Sequence, residues 1–110
     1  MTVDEVYVLI AQNIKNSIQN DNWNTAILYI QGDDNYVDTS GQYTDSDKNV
    51  QHLDVHHFDS DVDFAIMELH EMMENKWNKA VFTLVSDGHF DMEFIWDQEL
   101  ADEIKKLANE

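Results

Sequence analysis

The sequence predicts an α+β protein, with an antiparallel sheet of about five strands packed with three helices in the order α-β-β-β-α-β-β-α. Three observations carry that expectation. Near the N-terminus apolar residues recur at three- and four-residue steps, which is a helical period. Residues 80–96 instead alternate around Ser86-Asp87-Gly88, as the two strands of a hairpin do. No strand–helix alternation is long enough for a doubly wound parallel sheet. With no Pro and only three Gly there is no linker, so one domain over residues 1–110 is expected.

Val3, Val6, Tyr7, Ile10, Ile14 and Ile18 form the apolar stripe of the first helix. Thr2 followed by Glu5 supplies a capping box at its start, and Asn20, Asp21 and Asn22 supply turn chemistry at its end. Ala26 to Ile30 is too short and too β-rich for a helix and reads as a buried strand. Gly32-Asp33-Asp34-Asn35 is a turn, and Tyr36 to Tyr43 a second, weaker strand interrupted by Gly41. After a polar loop over 44–49, Val50 to Phe58 alternates as a third strand. Leu53, Val55 and His57 share one face, and His52, Asp54 and His56 the other.

Ser60 followed by Asp63 marks the start of the second helix, which runs to Asn75 or Trp77. Val62, Ala65, Ile66, Leu69, Met72 and Met73 form its stripe, with Glu68, Glu71 and Glu74 on the opposite side. In the final hairpin a two-residue loop would set Phe90, Met92 and Phe94 beside Val85, Thr83 and Val81. A three-residue loop with Gly88 left-handed in a bulge sets them beside Leu84, Phe82 and Ala80 instead. The second register gathers the large apolar groups on one face and is the one expected. Asp97 caps a last helix whose Leu100, Ile104 and Leu107 are expected to return to the core, with Lys105 and Lys106 suiting its C-terminal dipole.

Composition narrows function. Six Lys and no Arg face twenty-three Asp and Glu, a formal charge of −17. Phosphate binding draws on clustered cations, so a nucleic-acid partner and an anionic membrane surface are both disfavoured. The absence of Cys excludes disulfides, thiolate metal sites and cysteine nucleophiles. An apolar content of 43% is too rich for a disordered acidic tail. No apolar run approaches the roughly 20 residues of a membrane span. The acidic opening Met-Thr-Val-Asp-Glu is unlike a secretory signal, so a cytoplasmic protein is expected.

Metal and catalytic constellations fail on spacing. Asp59, Asp61 and Asp63 match the first three ligand positions of a calcium loop, but Phe64 and His70 stand where Gly and Glu are needed. His70-Glu71 opens like a zincin helix, yet position 74 is Glu, so a solvated helix face is expected there. His52 and His56, alternate residues on one strand face, would lie about 7 Å apart, long for one ion. His57 completes that cluster and points the other way. There is no Gly-rich phosphate loop and no nucleophile elbow. No enzyme activity, cofactor or metal is expected.

The acidic middle points elsewhere. From Asp33 to Asp63 there are nine Asp, no Glu and one Lys, a net of −8. Carboxylates held on strands and turns suit the steering and gripping of a basic protein partner. Candidate contacts are Asp33, Asp34, Asp38, Asp45, Asp47, Asp54, Asp59 and Asp61, with aromatic anchors drawn from the interleaved Tyr29, Tyr36, Tyr43 and Phe58, Tyr36 and Tyr43 foremost. Glu68, Glu71 and Glu74 form a second acidic face. A metal- or calcium-responsive binding protein and a nucleic-acid mimic are the alternative readings of the same charge.

The segment from Trp77 to Phe94 resembles the YezG-like immunity (antitoxin) family: a Trp leads into a strand, a Gly has a Phe two residues on, and an alternating strand ends in Trp96-Asp97. Trp23 before an apolar strand, Tyr43 in the next and an N-terminal helix extend the likeness in order of elements. The second strand departs from the family in being rich in Asp and Ser where an aromatic-rich run is usual. The resemblance implies a small α+β protein that binds and neutralises a toxin domain of a bacterial competition system, such as contact-dependent growth inhibition. That toxin is often a nuclease. It implies no catalytic residues.

Overall fold

The computed structural model describes residues 1–18, 22–33, 36–74 and 76–109. Helix α1 (Val3–Ser17) begins with the expected box: Thr2 Oγ accepts the Glu5 N–H at 3.2 Å, and Glu5 Oε1 accepts the Thr2 N–H at 3.2 Å. Strands β1 (Trp23–Gly32) and β2 (Val37–Asp45) form a hairpin, and β3 (Val50–His52) pairs with the far end of β2. A 3-10 turn over Val55–His57 leads into α2 (Ser60–Met72). Strands β4 (Lys79–Val85) and β5 (Phe90–Ile95) and helix α3 (Gln98–Ala108) complete the order. The sheet is antiparallel throughout, ordered β3-β2-β1-β4-β5. The α+β class and the order of elements are those the sequence predicts.

Register divides the sheet into a covered and an open face. Ala26, Leu28 and Ile30 of β1 pair with Leu84, Phe82 and Ala80 of β4, and all six are buried. On that face lie Val6, Ile10 and Ile14 of α1 and Val62, Ala65, Ile66 and Leu69 of α2, closing the core. The final hairpin adopts the three-residue loop, with Ala80, Phe82 and Leu84 opposite Phe94, Met92 and Phe90. Gly88 takes φ +104°, a conformation L side chains rarely adopt. The other face carries Thr25, Ile27, Tyr29 and Gln31 of β1 flanked by Asp38, Ser40, Gln42 and Thr44 of β2. Across β4 it continues into Asp91 and Glu93.

Three expectations are corrected. The third strand stops at His52 rather than Phe58: Leu53 makes a last ladder bond, its N–H donating to Gly41 C=O at 3.0 Å, and is buried in the core. Asp54 then accepts the His56 N–H at 3.1 Å and closes a turn, so His52, Asp54 and His56 do not line one strand face. Helix α2 ends at Met72, where Glu74 turns left-handed at φ 58° and Trp77 goes to the core. Helix α3 has its capping Asp97, which accepts the Leu100 N–H at 3.1 Å, but none of its residues is buried. Leu100 and Ile104 are half-covered and Leu107 is 62% exposed. The turn residues Asn20, Asp21, Asp34 and Asn35 and the proposed helix end at Asn75 lie outside the described residues. No helix among them is long and apolar enough to cross a membrane.

Candidate functional site

The hairpin geometry splits the acidic middle of the chain. Asp33 and Tyr36 lie at the β1–β2 turn, where Asp33 Oδ1 accepts the Tyr36 N–H at 3.2 Å. Tyr36 is half-buried beside a groove lined by Gln31 and by Leu100, Ile104 and Leu107 of α3. Asp38 is exposed on the open face. Asp45 and Asp47 sit at the other end of β2, roughly 23 Å from Asp38 at the usual rise of a strand. Asp34 lies outside the described residues.

Asp45 serves its own loop. Its Oδ1 accepts the N–H groups of Asp47 and Asn49, each at 2.9 Å, and its Oδ2 takes Gln51 Nε2 at 3.4 Å. The Asn49 N–H is the main cause holding this carboxyl below the usual range, with the Gln51 and Asp47 bonds adding to it. Asp47 is exposed in the loop. Tyr43 lies on the covered face opposite Ala26 and packs against the core, which removes it as an exposed anchor. Asp54 caps the 3-10 turn and holds His57 Nε2 at 3.0 Å.

A different set converges around α2. Between β2 and the start of α2, a cleft of about 250 Å³ is lined by His56, Asp59 and Asp63 and by residues 37–39 of β2, where alternation turns Asp38 toward the open face. Burial pushes the Asp63 carboxyl up. Asp59 stands at the N-cap, and its N–H donates to Oδ1 of buried Asn13 at 2.9 Å, tying α2 to α1. Along the exposed side of the helix Asp61, Phe64, Glu68 and Glu71 follow at steps of three, four and three, which makes one stripe. Phe64 is 67% exposed in the middle of it. Glu68 also accepts the N-terminal ammonium at 3.1 Å.

Phe64 was not among the expected anchors, although the sequence carried the signal: it falls out of phase with Val62, Ala65, Ile66 and Leu69. Asn13 carried the converse signal, a polar residue in phase with Ile10 and Ile14. His70, placed on a solvated helix side by its acidic neighbours, is instead buried with its ring edge-on to Trp77 at 5.1 Å. Among the described residues no group of three His, Asp or Glu side chains is placed to hold a metal ion.

An exposed aromatic ring within a carboxylate stripe combines two physical capacities. The ring offers apolar area that gains by being covered, and the charges raise the encounter rate with a cationic surface. No protein-family model matches the chain, and no curated protein matches it.

Proposed function

We propose that this chain is a binding protein that neutralises a basic toxin domain in the cytoplasm, docking it on the exposed side of α2. The toxin is a nuclease of a bacterial competition system. The observation that carries the reading is Phe64, two-thirds exposed between Asp61, Glu68 and Glu71. A nuclease must hold phosphates, so its working surface is cationic. A helix presenting carboxylates at fixed spacing meets such a surface with little ordering to do, and a central ring supplies the desolvated contact that sets the off-rate. The charge of −17, well beyond the magnitude of about 2–8 that solubility asks for, fits this use. The likeness of residues 77–94 to immunity proteins supplies the biological setting.

The test is kinetic binding to the toxin domain encoded beside this chain. Phe64→Ala is expected to weaken affinity about tenfold or more through faster dissociation, while leaving thermal stability unchanged because the ring is not in the core. Reversing Asp61 and Glu71 to Lys together is expected to slow association at low salt and flatten its salt dependence. Asp47→Lys, on a loop at the far end of β2, serves as the control. Unaltered rates in both α2 variants would remove this helix as the docking surface.

A further inference from the structure

We propose that the outer edge of β5 accepts an extended segment of a partner protein as a sixth strand, and that this segment alternates Lys or Arg with apolar residues. The sheet order leaves β5 with a neighbour on one side only, β4. Val85 N–H donates to His89 C=O at 2.8 Å, and Asn78 N–H to Ile95 C=O at 3.1 Å. The ladder between them alternates, so the inward groups belong to Asp91 and Glu93 and the outward ones to Phe90, Met92 and Phe94. Tyr7 and Trp77 touch the rings of Phe90 and Phe94 from the core side, at 5.6 and 5.3 Å. No strand among the described residues pairs with the outward N–H and C=O groups.

The side chains along this edge select an occupant. Phe90 and Trp96, at its two ends, are 45% and 51% exposed, and Met92 and Phe94 between them are half-covered. Asp91 and Glu93 stand exposed on the open face of the sheet. A second copy of the chain is a poor fit. Hydrogen bonding requires even-numbered residues to face even-numbered ones, and the antiparallel register that uses the whole strand sets Asp91 opposite Glu93. Sliding it by one pair sets Asp91 opposite Asp91, or Glu93 opposite Glu93. Directly opposed like charges destabilise a strand pair, and two chains of −17 repel each other besides. A strand with cations at those positions turns the same two carboxylates into attractive cross-strand pairs, while its apolar residues cover Phe90, Met92 and Phe94. The acids thus discriminate against self-pairing and in favour of a basic strand. This site lies at the opposite edge of the sheet from β3 and does not depend on docking at α2.

The probe is a short capped peptide alternating Lys and Val, compared with one of the same composition in two blocks and with one alternating Glu and Val. Amide hydrogen exchange of the full chain is read residue by residue. The Lys–Val alternating peptide is expected to slow exchange severalfold at Phe90, Met92 and Phe94, and the other two to leave those amides unchanged. In the chain carrying Asp91→Lys and Glu93→Lys, both solvent-exposed positions, the preference is expected to move to the Glu–Val peptide. Equal protection by the blocked peptide overturns the proposal. Protection confined to α2 overturns it while leaving acidic docking in place. Absence of protection at the three outward amides also overturns it.

Discussion

Asn78 is 3% exposed and ties three elements together through one residue. Its C=O accepts the Gly32 N–H at the end of β1, at 3.0 Å, and its N–H donates to Ile95 C=O at 3.1 Å. Its side chain spans the peptide before α3: Nδ2 donates to Asp97 C=O at 2.8 Å, and Oδ1 accepts the Asp97 N–H at 2.7 Å. Replacing Asn78 by Ala leaves the part-buried Asp97 N–H without a partner, worth about 1–3 kcal/mol, while the Asp97 C=O keeps the Ala101 N–H at 3.1 Å. Asn78→Ala is therefore expected to lower unfolding free energy by about 1–3 kcal/mol in urea titration, against under about 0.5 kcal/mol for an exposed surface substitution. No sequence pattern announces this role, because an Asn before a strand reads equally well as loop. Phe64 and Asn13 were legible from phase. Tyr43 was not, since strand alternation tells which residues share a face but not which face the helices cover. His70 was hidden for the opposite reason: its acidic neighbours suggested water, and only the packing of Trp77 shows otherwise.

Elements were legible where local chemistry and alternation agree, and illegible where they compete. The β4–β5 hairpin has both the left-handed Gly88 and the apolar match of Leu84, Phe82 and Ala80 to Phe90, Met92 and Phe94. From Val50 the alternation runs on, but the Asp54 carboxylate captures the His56 N–H and ends the ladder. Gly41 contributes to the same break. A Cβ there would lie 2.7 Å from Leu53 Cδ2, so Leu53 can seat only over a glycine. For α3 the amphipathic stripe was real, but periodicity reports that a face is apolar and not what covers it. A helix with no buried residue is held mainly through its cap, by the Asn78 bonds to Asp97 and the Lys79–Asp97 ion pair at 2.6 Å. Its amides are expected to exchange faster than those of α1 and α2. Ile104→Ala is expected to cost under about 1 kcal/mol, where Ile10→Ala in the core costs about 2–5 kcal/mol. Comparable losses at the two positions would show that α3 is as firmly packed as the core helices.

At the scale of the molecule, composition disclosed the charge but not its distribution. Residues 33–63 read as one acidic tract, yet the length of β2 carries Asp45 and Asp47 away from Asp38, and alternation turns Asp38 to the open face while Asp59 and Asp63 line the cleft at α2. The summed charge still acts on stability, and pH separates its parts. Glu5, Asp45, Asp87 and Asp97 are held below the usual range, chiefly by the Thr2, Asn49 and His89 N–H groups and by Lys79 respectively. Each contributes stability that is present above the unfolded carboxylate pKa of about 4 and lost as pH falls through its lowered folded value. Asp63, raised by burial, has the opposite sign: its contribution is present at low pH and lost as pH rises through its folded value. Mutual repulsion at −17 likewise grows with pH as carboxylates ionise. The melting temperature is therefore expected to peak near pH 5, falling below about pH 4 as the four supported carboxylates protonate and declining gently toward neutrality. Sodium chloride is expected to raise the melting temperature at pH 7, where screening relieves repulsion, and to do so far less near pH 4. Thermal melts across both variables read this directly. A midpoint at pH 7 that ignores salt would mean that the acids are already separated or paired well enough to exert no net strain, and the surplus would then cost this fold nothing.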